Sequence, residues 1–164
     1  MKKSKTIIVI VVAIVLLGIF FFSSKKNLIT PNNQYPIVVA EDPIVGCYVV
    51  AFEKDVYTLT ILSQQSELFK GTLVFKNFQK DSSSGTFEGT YKNGILFGDY
   101  SFQSEGMNSV MQVIFKKSGS DFIRGYGAIN AEGNRFTDLN SITYNQFSPL
   151  AVFKAYYGDC ATSL

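Results

Sequence analysis

Few residues in this chain have side chains that can do chemistry. Glu88, Asp99 and Glu105 are of the type that works in pairs as acid and base in glycoside cleavage, but nothing in their spacing fixes two of them across a substrate. The 164 residues include no His, so serine and cysteine triads lack their base. Asp99, between Gly98 and Tyr100, reads as an outward-facing residue of a strand. The expectation is a protein that is not an enzyme, with no catalytic residues and no cofactor.

Two cysteines remain, Cys47 and Cys160. Two thiolates without histidine rarely hold a metal, so none is expected. An even cysteine count in an exported domain is normally oxidised. The alternative is a pair of buried free thiols. A Cys47–Cys160 bridge would set the last segment beside the first.

Binding residues are sought where the pattern breaks. Ser104-Glu105-Gly106-Met107-Asn108-Ser109 interrupts the alternation around it. Ser104, Glu105, Met107 and Ser109 are therefore candidate ligand or partner residues at a barrel mouth. The plainer reading is a polar turn with Gly106 at positive φ. Arg124, between Ile123 and Gly125, is the other candidate: it can bind an anion inside a barrel or lay its stem along a rim.

The elements that position these residues read as strands. From Gly46 onward the apolar pattern has period two, with turn signals every 8–14 residues. Tyr57, Leu59 and Ile61 alternate with Thr58 and Thr60, and Phe87 and Tyr91 with Glu88 and Thr90. Further strands are expected at Lys70–Phe78, Gly85–Tyr91, Ile95–Gln103, Val110–Lys117, Phe122–Ile129 and Arg135–Tyr144. Asn93-Gly94 is the type I′ hairpin pair. Ser118-Gly119-Ser120-Asp121 and Glu132-Gly133-Asn134 signal two more hairpins, and 81–85 a polar loop. The residues after Ser148-Pro149 suit a short capped helix or a closing strand, and a Cys47–Cys160 bridge favours the strand. The fold expected is all-β: an antiparallel meander of about eight strands, as a small up-and-down barrel rather than a sandwich.

Ahead of the β domain, Ile7 to Phe22 is an unbroken run of sixteen apolar or glycine residues. As a helix it covers roughly 24 Å, which flanking residues and lysine stems extend toward a hydrocarbon core of about 30 Å. A cleaved signal peptide is the rival, but Phe22 or Leu16 would fall where a signal peptidase needs a small residue. A retained transmembrane helix over 6–24 is expected, contacting the lipid bilayer. Lys2, Lys3 and Lys5 precede it against Lys25 and Lys26 after it, which orients the N-terminus inside. The organisation expected is a cytoplasmic stub at 1–5, the anchor at 6–24, a proline-bearing linker at 25–44 and an extracytoplasmic domain at 45–164. From Val45 onward ten Lys/Arg oppose eleven Asp/Glu, so the +2 of the whole chain comes from the N-terminal lysines and no nucleic-acid partner is expected.

The segments Gly46-Cys47-Tyr48, 54–60, 80–87, 99–107 and 112–117 together resemble a group of small bacterial envelope proteins, often lipoproteins, over about residues 46–160. The resemblance implies a bacterial source, export and a disulfide between the domain's first and last cysteines. It names no activity, and the chain departs from the group in having an apolar helix where a lipidated cysteine is usual. Phe87-Glu88-Gly89-Thr90-Tyr91 with Gly94 and Gly98 is similar to one MORN repeat, but MORN domains need several. The meander also resembles avidin and lipocalin barrels in architecture, which carries no ligand identity. The function expected is a non-catalytic, membrane-anchored envelope module that binds an unknown envelope partner or a small apolar ligand. The alternatives are a structural component with a filled barrel and, remotely, a carboxylate hydrolase.

Overall fold

The computed structural model describes residues 43–104, 106–158 and 160. The expected stub, anchor and most of the expected linker lie outside them. Among the described residues no helix is long and apolar enough to cross a membrane.

Nine strands follow in chain order: β1 Gly46–Phe52, β2 Asp55–Gln65, β3 Leu68–Lys76, β4 Ser83–Lys92, β5 Ile95–Ser104, β6 Met107–Ser118, β7 Asp121–Tyr126, β8 Thr143–Tyr144 and β9 Val152–Tyr156. Strands β1 to β7 pair antiparallel with their neighbours, β7 also pairs with β9, and β9 returns to β1. The result is a closed antiparallel barrel of eight strands. Strand β8 is a two-residue addition on β7.

The turns form where their residue types require. Asn93 and Gly94 both have positive φ, 52° and 75°, as a type I′ turn needs. Gly119 has φ 59° at the first position between β6 and β7. Four inward-facing glycines let the strands coil tightly. A Cβ on Gly89 would lie 2.1 Å from the Phe97 carbonyl oxygen, and one on its register partner Gly98 2.1 Å from that of Glu88. These contacts are with backbone and cannot yield, so the Gly-Thr-aromatic pattern is a device for curvature.

Two expectations are corrected. Arg135–Tyr144 is not a strand. Instead Ile129 and Phe136 make an isolated bridge, a short 3₁₀ turn spans Leu139–Ser141, and only Thr143–Tyr144 pairs. The Asp138 side chain accepts from Asn140 N–H, and Ser141 Oγ donates to the Asp138 carbonyl. These local bonds outcompete a ladder in a polar run without alternation. Nor does 104–109 interrupt the sheet: Ser104 pairs with Met107, and Gly106 before Met107 has φ 79°. The final segment is a strand, β9.

Large side chains pack the middle of the barrel. Tyr48, Leu59, Leu73, Phe87, Leu96, Phe115, Phe122 and Phe153 belong to one buried cluster drawn from all around the barrel. Phe115 touches Phe87, Phe122 and Phe153 edge-on, with ring centroids at 5.8, 6.4 and 5.1 Å. Tyr48 packs on Phe122 at 4.8 Å, and Phe69 on Phe87 at 4.8 Å. An eight-strand barrel is just wide enough for its own side chains, and here large rings supply them. Ahead of β1 the chain already packs into this core. Ile44 is fully buried, its N–H donates to Gln64 Oε1, and its carbonyl accepts from Tyr48 Oη.

Three of the buried phenols also donate hydrogen bonds: Tyr48 to the Ile44 carbonyl, Tyr57 to Asn77 Oδ1 and Tyr100 to Ser83 Oγ. Burial raises the pKa of all three above the usual 10.0. The folded state therefore holds protons that the unfolded chain has lost above pH 10, and stability must fall as pH rises. The slope expected is up to about 1.4 kcal/mol per pH unit for each phenol that stays protonated. Urea unfolding midpoints between pH 8 and 11, followed with tyrosinate absorbance, check this; a flat profile contradicts it.

Candidate functional site

Strands β6 and β7 pair only between Phe115–Ser118 and Asp121–Arg124. Beyond Phe115 and Arg124 they part, and the 128–137 hairpin fills the gap. Gln112 holds that hairpin: its N–H donates to the Asn134 carbonyl, and its Oε1 accepts from Phe136 N–H. Asn130 Oδ1 in turn accepts from Asn134 and Arg135 N–H, which closes the tip.

The inward parity of Phe122 places Arg124 inside the barrel at this end. Its guanidinium lies over Phe75, 4.6 Å from the ring centroid, and over Tyr126, at 5.3 Å. Burial pushes its pKa down, against the opposing pull of Tyr126, Tyr57 and Tyr100 and a hydrogen bond with Tyr126. Arginine remains charged even so. Next to it Gly125 faces outward and is a packing requirement, since a Cβ there would lie 2.6 Å from Ile142 and 2.7 Å from Ile114.

Two recesses flank the gap. One, of about 90 Å³, has Arg124, Met111, Val113, Tyr126, Ile129 and Phe136 among its walls. The other, of about 340 Å³, is lined by Phe102, Ser109, Val110, Met111, Glu132 and Asn134 among others. Met111 is common to both. Even-numbered residues of β6 direct their backbone groups toward the gap, since Gln112 N–H does so.

Of the sequence candidates, Arg124 lines the first recess and Ser109 the second. Ser104 and Met107 are paired at the hairpin tip, Met107 being 68% exposed, and line neither. Glu105 lies outside the described residues. Glu88 and Asp99 are direct cross-strand partners on the exposed outer face, where Lys70 Nζ lies 3.6 Å from Glu88. Met111, Gln112, Ile129 and Phe136 escaped sequence reasoning. The signal was Asn130-Ala131-Glu132-Gly133-Asn134, a turn whose asparagines pin the hairpin.

Cys47 and Cys160 form a disulfide, with Cα atoms 5.9 Å apart. Cys47 points outward on β1, and Thr60 Oγ1 on β2 lies 3.5 Å from Cys160 Sγ. The bridge therefore ties the chain end across the β9–β1 seam. No known family model, curated protein or solved structure matches the chain.

Proposed function

We propose that this chain is a non-catalytic, membrane-tethered binding module of the bacterial envelope, and that it meets its target at the Arg124 end of the barrel rather than inside it. The observation that carries the reading is the pair of recesses beside the split between β6 and β7, where Arg124, Ser109 and Glu132 stand among apolar walls at the end of a barrel whose middle is packed with rings. The tether is supported by the run Ile7–Phe22. Export is supported by the Cys47–Cys160 bridge, because such bonds persist in oxidising compartments. The likeness to small envelope proteins points the same way. A purely structural component is the second reading, and the same filled core favours it.

Two measurements test the proposal. In intact spheroplasts, added protease is expected to release the β domain by cutting within 25–42, and both cysteines to alkylate only after reduction. A chain cut only after lysis, or thiols that alkylate freely, overturns the envelope assignment. A photo-crosslinker placed at Val110, beside the recesses, is expected to give an adduct in its native envelope that one at Leu68, exposed at the opposite barrel end, does not. Equal adducts at both positions, or none, favour the structural reading.

A further inference from the structure

We propose that the recess beside Arg124 binds a small monocarboxylate, a carboxylate carried on a short apolar chain. The proposal rests on the reading of this barrel end as a binding face and gives it a ligand class.

Charge is the first argument. The ion pairs among the described residues are Lys70–Glu88, Lys92–Glu67 and Lys154–Asp121, and Arg124 is in none of them. A guanidinium drawn in among Tyr57, Phe75, Tyr100 and Tyr126 loses water and, among the described residues, gains ring faces and a Tyr126 hydrogen bond but no carboxylate. That arrangement is costly until an anion arrives. Two parallel N–H···O bonds to one carboxylate supply what is lacking.

Shape is the second. The rings of Phe75 and Tyr126 fix the plane of the guanidinium, so its donors are aimed before the ligand comes. The third is the size and lining of the recess. About 90 Å³ is room for roughly three waters' worth of liquid, which is the bulk of a short acid. Met111, Val113, Ile129 and Phe136 offer that body apolar walls. A single cation and no lysine among the walls suit a monoanion and disfavour phosphate, which calls for more donors.

Isothermal titration of the full chain in detergent micelles with acetate, propionate, butyrate and the neutral butyramide decides it. Affinity is expected to rise about fourfold per methylene from acetate to butyrate, with butyramide silent. Arg124→Gln is expected to weaken butyrate binding about ten- to hundredfold while keeping the Cys47–Cys160 bridge and a cooperative melt. Should that variant fail to fold, Arg124→Lys, which keeps the charge and loses the fork, is expected to weaken binding as well, and the contrast between butyrate and butyramide still decides. Butyramide binding as tightly as butyrate, unchanged affinity in Arg124→Gln, or no binding by any acid overturns the site. If the Val110 crosslink forms while no acid binds, the ligand class falls and the binding-module reading stands.

Discussion

Replacing both Cys47 and Cys160 with serine is expected to cost about 4–5 kcal/mol of stability and to lower the melting temperature by roughly 15–20 °C. The bridge joins residues 113 apart in sequence, so it removes a large share of the unfolded chain's freedom. The folded side of the balance makes the loss worse at one place. Strand β9 is held to β1 by three register pairs and to β7 by two, whereas β4 and β5 share nine. Asp121 adds a small clamp, accepting from Ala155 N–H and lying 3.7 Å from Lys154 Nζ. Without the disulfide the barrel is expected to open at this seam first. Hydrogen exchange of the serine variant should show Tyr48, Phe153 and Ala155 losing protection by a larger factor than Phe87 and Tyr100. Uniform loss, or an unchanged urea midpoint, contradicts the seam as the weak point.

Legibility in the sequence follows how local the cause is. The strands from Tyr57 to Lys117 declare themselves because each has one wet and one buried face, and Asn93-Gly94 and Gly119 announce their own turns. The closing strand was legible only through the cysteines, since Val152, Phe153, Tyr156 and Tyr157 suit either a helix or a strand. The stretch from Gly127 to Ser141 misleads, because Glu132-Gly133-Asn134 does turn the chain while Asn130, Asp138 and Ser141 satisfy the backbone locally. That excursion supplies Gly127, Ile129 and Phe136 to the walls of the Arg124 recess. A site made where two strands part, and closed by a hairpin bonded to Gln112, has no signature in any one segment. Arg124 itself was visible as an odd charge between apolar neighbours. Its parity with Phe122, not its identity, sends it inward.

Phe115→Ala should be the most destructive single core substitution, at about 3–5 kcal/mol. Phe115 is fully buried, and its ring is the one that meets Phe87, Phe122 and Phe153 together. The strands around it cannot collapse inward, because each is fixed in register on both sides and Gly89 and Gly98 already let the sheet approach as closely as its backbone permits. The void should therefore persist, dry and apolar, in the class that admits benzene or xenon. Benzene should then raise the melting temperature of Phe115→Ala, because a ligand that binds only the folded state stabilises it by mass action, and should leave the parent unchanged. This contrast also tests the functional argument. A parent barrel that benzene stabilises as much as the variant has room inside, and the target would then belong in the interior rather than at the Arg124 end.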